Sequence, residues 1–339
     1  MPGSRPLARP FPLERRSFLR LSLGTAAAAA LPAPRARAQQ PDFKAWLKDF
    51  KAEALAQGLK QSTLDDALDN IAPIARVIEL DRKQPEFVLT FQQYMQRVVN
   101  DVRVEKGRRL LDEHKALLEE VGRKFGVQPR FIVALWGVET DFGRLTGGFP
   151  VIAALATLAF EGRRAAFFRK ELLNALKIVD QGHIRPGDMT GSWAGAMGQS
   201  QFMPSSFLSF AIDYDGDGKP DIWTTLADVF ASIANYLGKS GWNAGQNWGR
   251  AVKLPEGFDA AQAGLEVKKP LQEWARLGVR RADGGPLPER PFDASIVLPG
   301  NGGDAFAVYD NYRVIMKWNR SLYFATAVGT LADRLGGGS

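Results

Sequence analysis

The chain of 339 residues contains no cysteine and only two histidines. Without cysteine there is no disulfide framework, no thiol nucleophile and no thioether anchor for a lipid. His114 and His183 are too few and too far apart for a zinc site of ordinary spacing. No Ser-His-Asp grouping or phosphate-cradling glycine loop stands in for them. No small-molecule cofactor for catalysis is implied. Long apolar runs are scarce too: Leu21 to Leu31 offers eleven mildly apolar residues, against the ~20 that a spanning helix needs.

That short run reads as the core of an export signal. Arg15-Arg-Ser-Phe-Leu-Arg20 precedes it, and Pro32, Arg35 and Ala36-Arg-Ala38 follow. The order of charge, apolar stretch and small residues predicts a twin-arginine signal peptide over residues 1–38, cut after Ala38. An uncleaved anchor is the alternative. Export would make the mature chain a soluble periplasmic protein with no integral membrane span. Cleavage removes seven arginines and Glu14, so the net charge of +7 falls to +1, with 37 basic and 36 acidic residues left. The overall positive charge therefore belongs to the leader, and a nucleic-acid partner loses its support.

What the chain does have is a carboxylate in an unusual place. Glu139 ends the apolar run Phe131-Ile-Val-Ala-Leu-Trp-Gly-Val-Glu139. Gly126 can close the helix before it, and Pro129 suits the first turn of a new one, because the N–H it lacks had no partner there. Glu139 then falls in the last turn, where helix carbonyls carry partial negative charge and Trp136 and Phe142 reduce access of water. Both effects favour the protonated acid, as a proton donor near neutral pH requires. The plain alternative is a helix cap or an ion pair with Arg144. A glycosidase generally uses two carboxylates, and no second one is evident: Asp141 is two positions on, where helical side chains do not face each other. Asp188 and the Asp213 to Asp221 group are remote in sequence.

Four ordered blocks decide between these readings. Trp136-Gly-Val-Glu-Thr-Asp-Phe-Gly143, Ala153-Ala-Leu-Ala-Thr-Leu-Ala-Phe160 with Arg163-Arg164, Gly191-Ser-Trp-Ala-Gly-Ala-Met-Gly198 with Gln201-Phe-Met-Pro-Ser-Ser206, and Trp318-Asn-Arg-Ser321 resemble the lytic murein transglycosylase B family. The resemblance runs from about Phe43 to Leu335. It implies a mainly α (α+β) protein: a lysozyme-like helical catalytic domain with an EF-hand-like loop, an N-terminal helical region and a small strand-containing insertion. It also implies cleavage of the MurNAc-GlcNAc bond of peptidoglycan without water. The muramyl C6 hydroxyl attacks its own C1, leaving a 1,6-anhydro end. One carboxylate, Glu139, would serve first as acid and then as base. A hydrolytic muramidase and a catalytically inactive peptidoglycan-binding protein are the other readings. The partner is the glycan strand; protein partners leave no trace.

Carried over by position, Ser192 matches a serine near the reacting sugar and Gln201 a cleft glutamine. Tyr94 and Tyr236 match cleft tyrosines, and Phe167 stands where some relatives have tyrosine. Asn319 matches the asparagine of a Tyr-Asn-x-Ser block, in which Trp318 replaces the tyrosine; the indole can still stack on a sugar face. Each of these aromatics alone would be read as core packing. The glycines of Gly195 to Ser206 also suit a tight turn, with Met203-Pro204 ending it and Ser205 or Ser206 capping the next helix.

The second chemical motif is Asp213-Tyr-Asp215-Gly-Asp217-Gly-Lys219-Pro-Asp221-Ile-Trp-Thr224. Carboxylates at positions 1, 3 and 5, glycine at 6, a backbone carbonyl at Lys219 and Asp221 at 9 follow the EF-hand calcium loop. Thr224 at position 12 cannot supply the bidentate carboxylate, so affinity falls unless Asp228 reaches back, as a late aspartate does in the family. A structural calcium is the expectation; a solvated Asp/Gly turn is the alternative.

The remaining pattern organises the chain. Residues 39–100 read as an N-terminal helical region, with Phe43, Trp46, Leu47, Phe50 and Ala54 on one face and Ser62 capping the next helix. Residues 101–250 read as the catalytic core with the calcium-type loop at 213–228. Residues 251–315 read as a small mixed insertion with strands at Ser295 to Leu298 and Ala305 to Tyr309 and a short helix at Pro270 to Leu277. Residues 316–339 return to helix and complete the core.

Overall fold

A computed structural model of the chain describes residues 42–83, 89–161, 163–301 and 303–336. The twin-arginine leader expected over residues 1–38 lies outside the described residues. From Asp42 onward the chain forms one unit, and it is mostly helical. In order come α1 (Phe43–Ala56), α2 (Gln61–Leu68), α3 (Ala75–Lys83), α4 (Phe91–Val98), α5 (Asp101–Glu113), α6 (Lys115–Phe125) and α7 (Pro129–Thr140). The short strand β1 (Phe149–Pro150) precedes α8 (Val151–Glu161) and α9 (Ala165–Asp180), and β2 (Thr190–Gly191) precedes α10 (Pro204–Phe210) and α11 (Leu226–Lys239). The insertion holds β3 (Gly249–Lys253), β4 (Lys269–Pro270), α12 (Leu271–Arg276), β5 (Arg280–Arg281), β6 (Asp293–Val297) and β7 (Ala305–Val308). Helices α13 (Asp310–Trp318) and α14 (Leu322–Leu335) close the chain. Among the described residues no helix is long and apolar enough to cross a membrane.

Local signals set several of these boundaries. Gly126 ends α6 at φ 69° and Pro129 opens α7, as the sequence requires. Two caps differ from expectation. Ser62 lies inside α2, and the partner at that helix start is Asp180 of α9, which accepts from Lys60 N at 3.2 Å and Thr63 Oγ1 at 2.6 Å. Likewise Ser205 and Ser206 are inside α10, because the fixed φ of Pro204 fits the first helical position. The buried Glu171 carboxylate accepts from Ser205 N at 2.9 Å and its hydroxyl at 2.7 Å. Carboxylates brought from another helix thus satisfy donors that local side chains leave open.

Two helical cores result. In one, α1 to α3 and α10 pack around α8 and α9, burying Phe50, Leu64, Leu155, Leu172, Leu176 and Phe207. In the other, α7 lies among α5, α6, α11 and α14, burying Leu118, Phe131, Trp136, Phe230, Val328 and Leu331. At roughly 1.5–3 kcal/mol for each fully buried large apolar side chain, Phe131, Ile132, Val133, Leu135 and Trp136 anchor α7 far more strongly than any one polar contact. Polar contacts at its end therefore govern aim rather than attachment.

The insertion is an antiparallel sheet in the order β4-β6-β7-β3-β5. Alternation along β7 splits its faces. Ala305 and Ala307 join Trp274 and Ile296 in a third cluster, while Phe306 and Val308 join the core around α7.

Candidate active site

Glu139 is the penultimate residue of α7, and the helix ends because Asp141, Phe142 and Gly143 take φ of 51°, 60° and 77°. Left-handed backbone costs an L residue roughly 1–2 kcal/mol, so the surroundings must over-determine this turn. Phe142 is buried against two glycines: a Cβ on Gly107 or Gly137 would come within 3.0 or 2.7 Å of its ring. Asp141 is gripped by Arg144 at 2.6 Å, Arg103 at 3.4 Å and Lys106 at 3.8 Å. Burial alone would push the Asp141 carboxyl up, but the Arg144 hydrogen bond and the charges of Lys106 and Arg103 outweigh it and hold it below the usual range. Asp141 is an ionised anchor. Arg144, the partner the plain reading gave to Glu139, is engaged by Asp141 instead.

The Glu139 carboxylate meets the opposite environment. Burial raises it from 4.5 to about 7, while a hydrogen bond from Trp318 Nε1 to Oε1 at 2.7 Å pulls the other way. Trp318, the last residue of α13, has its ring centroid 4.6 Å from Tyr236 and 5.2 Å from Phe202. The Tyr236 hydroxyl donates to Lys317 O at 2.8 Å and so holds the backbone beside Trp318. Phe202 and Tyr236 belong to the core around α8, Glu139's helix belongs to the other, and Trp318 packs on both. The acid therefore sits at the seam of two cores. Trp318 thus offers more than a stacking face, since its indole N–H reaches the acid.

Tyr94 lies on the cleft side. Burial and then the Glu139 charge push its phenol up to about 12, so it is a neutral O–H at working pH. It lines a cleft of about 600 Å³ with Asn319, Ser321, Tyr323 and Pro299. Asn319 Oδ1 accepts from Ser321 N at 3.1 Å, which orients the amide. Ser192 and Gln201 sit on the loop that packs against the turn after α7. Ser192 Oγ accepts from Ala196 N at 3.0 Å, and Gln201 Nε2 donates to Thr146 O at 3.0 Å and Gly198 O at 2.9 Å. A Cβ on Gly147 would sit 2.2 Å from Gly191 O, so this contact requires glycine. The structure thus joins Trp318 to Glu139 directly and Tyr94 electrostatically, whereas Ser192 and Gln201 connect to it through residues 141–148. Phe167 is an exposed side chain on α9 that meets Phe168 edge to face, with ring centroids 5.1 Å apart.

Sequence reasoning missed Phe202, the cations on Asp141 and Gln199. Gln199 lies inside the glycine-rich block, and its side chain bridges Trp136 and Trp223. Arg103 and Lys106 share a face of α5 by their spacing, but nothing local names a partner 38 or 35 residues away.

In the acidic loop, Asp213, Asp215 and Asp217 each bring a carboxylate oxygen within 4.8 Å of the others. Lys219 N donates to Asp217 Oδ1 at 2.8 Å, closing the turn. Asp221 is occupied by Trp223 N at 2.8 Å, Thr224 N at 3.0 Å and the hydroxyls of Thr224 and Thr225. Asp228 does reach back, but to backbone: its two oxygens accept from Tyr214 N and Asp221 N, both at 2.7 Å. Buried Asp228 staples the two ends of the loop from inside. Three converging carboxylates form an all-oxygen donor set of the kind a hard divalent cation takes.

Comparison with known proteins gives the family. Residues 42–333 match the family model of the transglycosylase SLT domain. Membrane-bound lytic murein transglycosylase B of Escherichia coli (strain K12) is 30% identical over 294 residues, covering 83% of this chain and 76% of that protein. The crystal structure of SltB3 from Pseudomonas aeruginosa in complex with NAG-anhNAM-pentapeptide superposes with a TM-score of 0.84 at 45% identity, covering 88% of this chain and 80% of that one. The Escherichia coli lytic transglycosylase Slt35 in complex with calcium superposes with a TM-score of 0.72 at 27% identity, covering 88% and 94%. Matched by that model over residues 42–333, and carrying a partly buried acid at the seam of its two cores, this chain belongs to the transglycosylase SLT domain family.

Proposed function

We propose that this enzyme is a lytic transglycosylase that cleaves the MurNAc-GlcNAc β-1,4 bond of peptidoglycan and leaves 1,6-anhydromuramic acid, with Glu139 as the single acid and base. The observation that carries this is the contrast at the end of α7. Glu139 is poised at about 7, while Asp141 is held ionised by three cations. Protonated Glu139 gives its proton to the glycosidic oxygen as the bond from that oxygen to muramyl C1 breaks, releasing the GlcNAc 4-hydroxyl. The muramyl C6 hydroxyl then bonds to C1 and its proton goes to the Glu139 carboxylate. The acid is regenerated and no water is consumed. A carboxyl near 7 suits both transfers, and a nucleophile carried by the substrate needs no second protein base. The Trp318 N–H favours the carboxylate formed between the two steps. SltB3 was solved with a fragment that bears an anhNAM residue, which is the end this chemistry would leave.

Around that centre, Tyr94, Tyr236, Trp318 and Asn319 would line the sugar path, and Ser192 and Gln201 would orient the reacting sugar from the opposite loop. Asp213, Asp215 and Asp217 would hold a structural calcium, with the Lys219 carbonyl, Asp221 and Asp228 shaping the loop around it. Such an ion would offset the repulsion of three close carboxylates and takes no part in the reaction. The enzyme would work in the periplasm, exported by the leader.

Activity on purified peptidoglycan tests the reading. Glu139→Gln should fold and bind glycan but lose turnover; a variant that keeps a tenth of the wild-type rate would sink the single-acid mechanism.

A further inference from the structure

Gln199 has every polar group engaged. Its backbone N donates to Ile222 O at 2.8 Å, its backbone O accepts from Thr140 Oγ1 at 3.0 Å, its Oε1 accepts from Trp136 Nε1 at 2.8 Å and its Nε2 donates to Trp223 O at 2.8 Å. Two of these partners, Trp136 and Thr140, flank Glu139 on the last turn of α7. The other two, Ile222 and Trp223, belong to the end of the acidic loop. The path continues on that side, because Trp223 N donates to Asp221 Oδ1 and Asp221 N donates to Asp228 Oδ2, at 2.8 and 2.7 Å. Space is as restricted as polarity. A Cβ on Gly143 would lie 2.2 Å from Gln199 Oε1, and one on Gly198 would lie 2.6 Å from Ile222 O. The amide thus presses on the left-handed turn that ends the helix, and its backbone lies flat on the loop.

We propose that Gln199 is the positioning residue of Glu139: it ties the last turn of α7 to the Asp213–Asp228 loop and so fixes where the carboxylate stands relative to the Trp318 indole. Apolar burial fixes the body of α7, but the turn after it is strained, and Glu139 sits two residues before the first strained position, Asp141. A side chain that donates on one end and accepts on the other holds both surfaces in a single register. Methionine, close in shape, would leave the Trp136 N–H and the Trp223 carbonyl without partners. Misplacement of a reacting group by about 1 Å costs on the order of 100-fold in rate.

The kinetic arm of the test rests on the proposed reaction; a titration arm does not. Gln199→Met and Trp136→Phe, which delete the same bond from opposite ends, are compared with wild type and with the double variant. The readouts are kcat and KM on peptidoglycan and the Glu139 carboxyl titration followed by 13C NMR. The expected result is a fall in kcat of about 10- to 100-fold with KM within about threefold. The carboxyl midpoint should shift, and the double variant should be no worse than the poorer single one, as for two ends of one bond. Wild-type kcat together with an unmoved midpoint in either folded variant would overturn the proposal, and so would additive losses. If Gln199→Met does not fold, Trp136→Phe and its titration decide alone. If wild type releases no anhydro ends, the proposed reaction falls while the titration still judges Gln199.

Discussion

Replacing Glu139 by glutamine should stabilise the protein at alkaline pH and not at acid pH. The carboxyl stands at 4.5 in an unfolded chain and at about 7 in the folded one. Because the folded pKa is the higher, the folded state binds more protons between these values, and the associated stability is complete below 4.5 and lost as pH rises through 7. At ~1.4 kcal/mol per pH unit, the full loss is roughly 3 kcal/mol. Glutamine mimics the protonated acid, keeps an acceptor for Trp318 Nε1 and does not ionise. Urea unfolding of wild type and Glu139→Gln at pH 4 and pH 8 isolates this effect, since every other titration cancels in the comparison. The variant's advantage should grow by about 3 kcal/mol from pH 4 to pH 8. Stability curves that stay parallel across this range would refute the claim that Glu139 is strained by burial.

Three further outcomes follow from the same geometry. Trp318→Phe removes a hydrogen bond to a charged group, worth about 1.5–3 kcal/mol, so the alkaline limb of kcat/KM should move up by about 1–2 pH units; an unmoved limb would mean the indole does not reach the acid in solution. Asp141→Asn should lower stability by about 1–3 kcal/mol, because three cations lose their counter-charge, yet keep most of the activity, and a loss of 100-fold or more would make Asp141 a second catalytic carboxylate. Millimolar calcium should raise the melting temperature and a chelator reverse it, with Asp217→Asn abolishing the effect; a melting curve indifferent to both would remove the ion from the Asp213 loop.

How far these features can be read from sequence depends on the range of the interaction that makes each one. Gly126 and Pro129 frame α7 by local backbone chemistry, so the helix and the place of Glu139 near its end were legible. The turn that stops it was not, because Asp141 and Phe142 adopt positive φ under tertiary grip and carry no glycine signal. Local pattern alone puts the caps of α2 and α10 on nearby serines. The structure draws carboxylates there from Asp180 and Glu171, 117 and 34 residues from their partners. The ordered blocks pointed to Trp318 as a cleft residue, but its bond to Glu139 spans 179 positions and depends on two cores meeting. In the acidic loop, spacing picked out the three carboxylates that converge. Whether Asp221 and Asp228 face an ion or the backbone is a matter of rotamers that spacing does not encode.

The most direct test of the central claim, one acid and no water, is digestion of purified peptidoglycan by the wild-type protein in 18O-enriched water, with mass spectrometry of the released muropeptides. The account predicts 1,6-anhydro ends, one water lighter than reducing ends and free of 18O. Reducing ends carrying one 18O would contradict it, and would require a second base to activate that water.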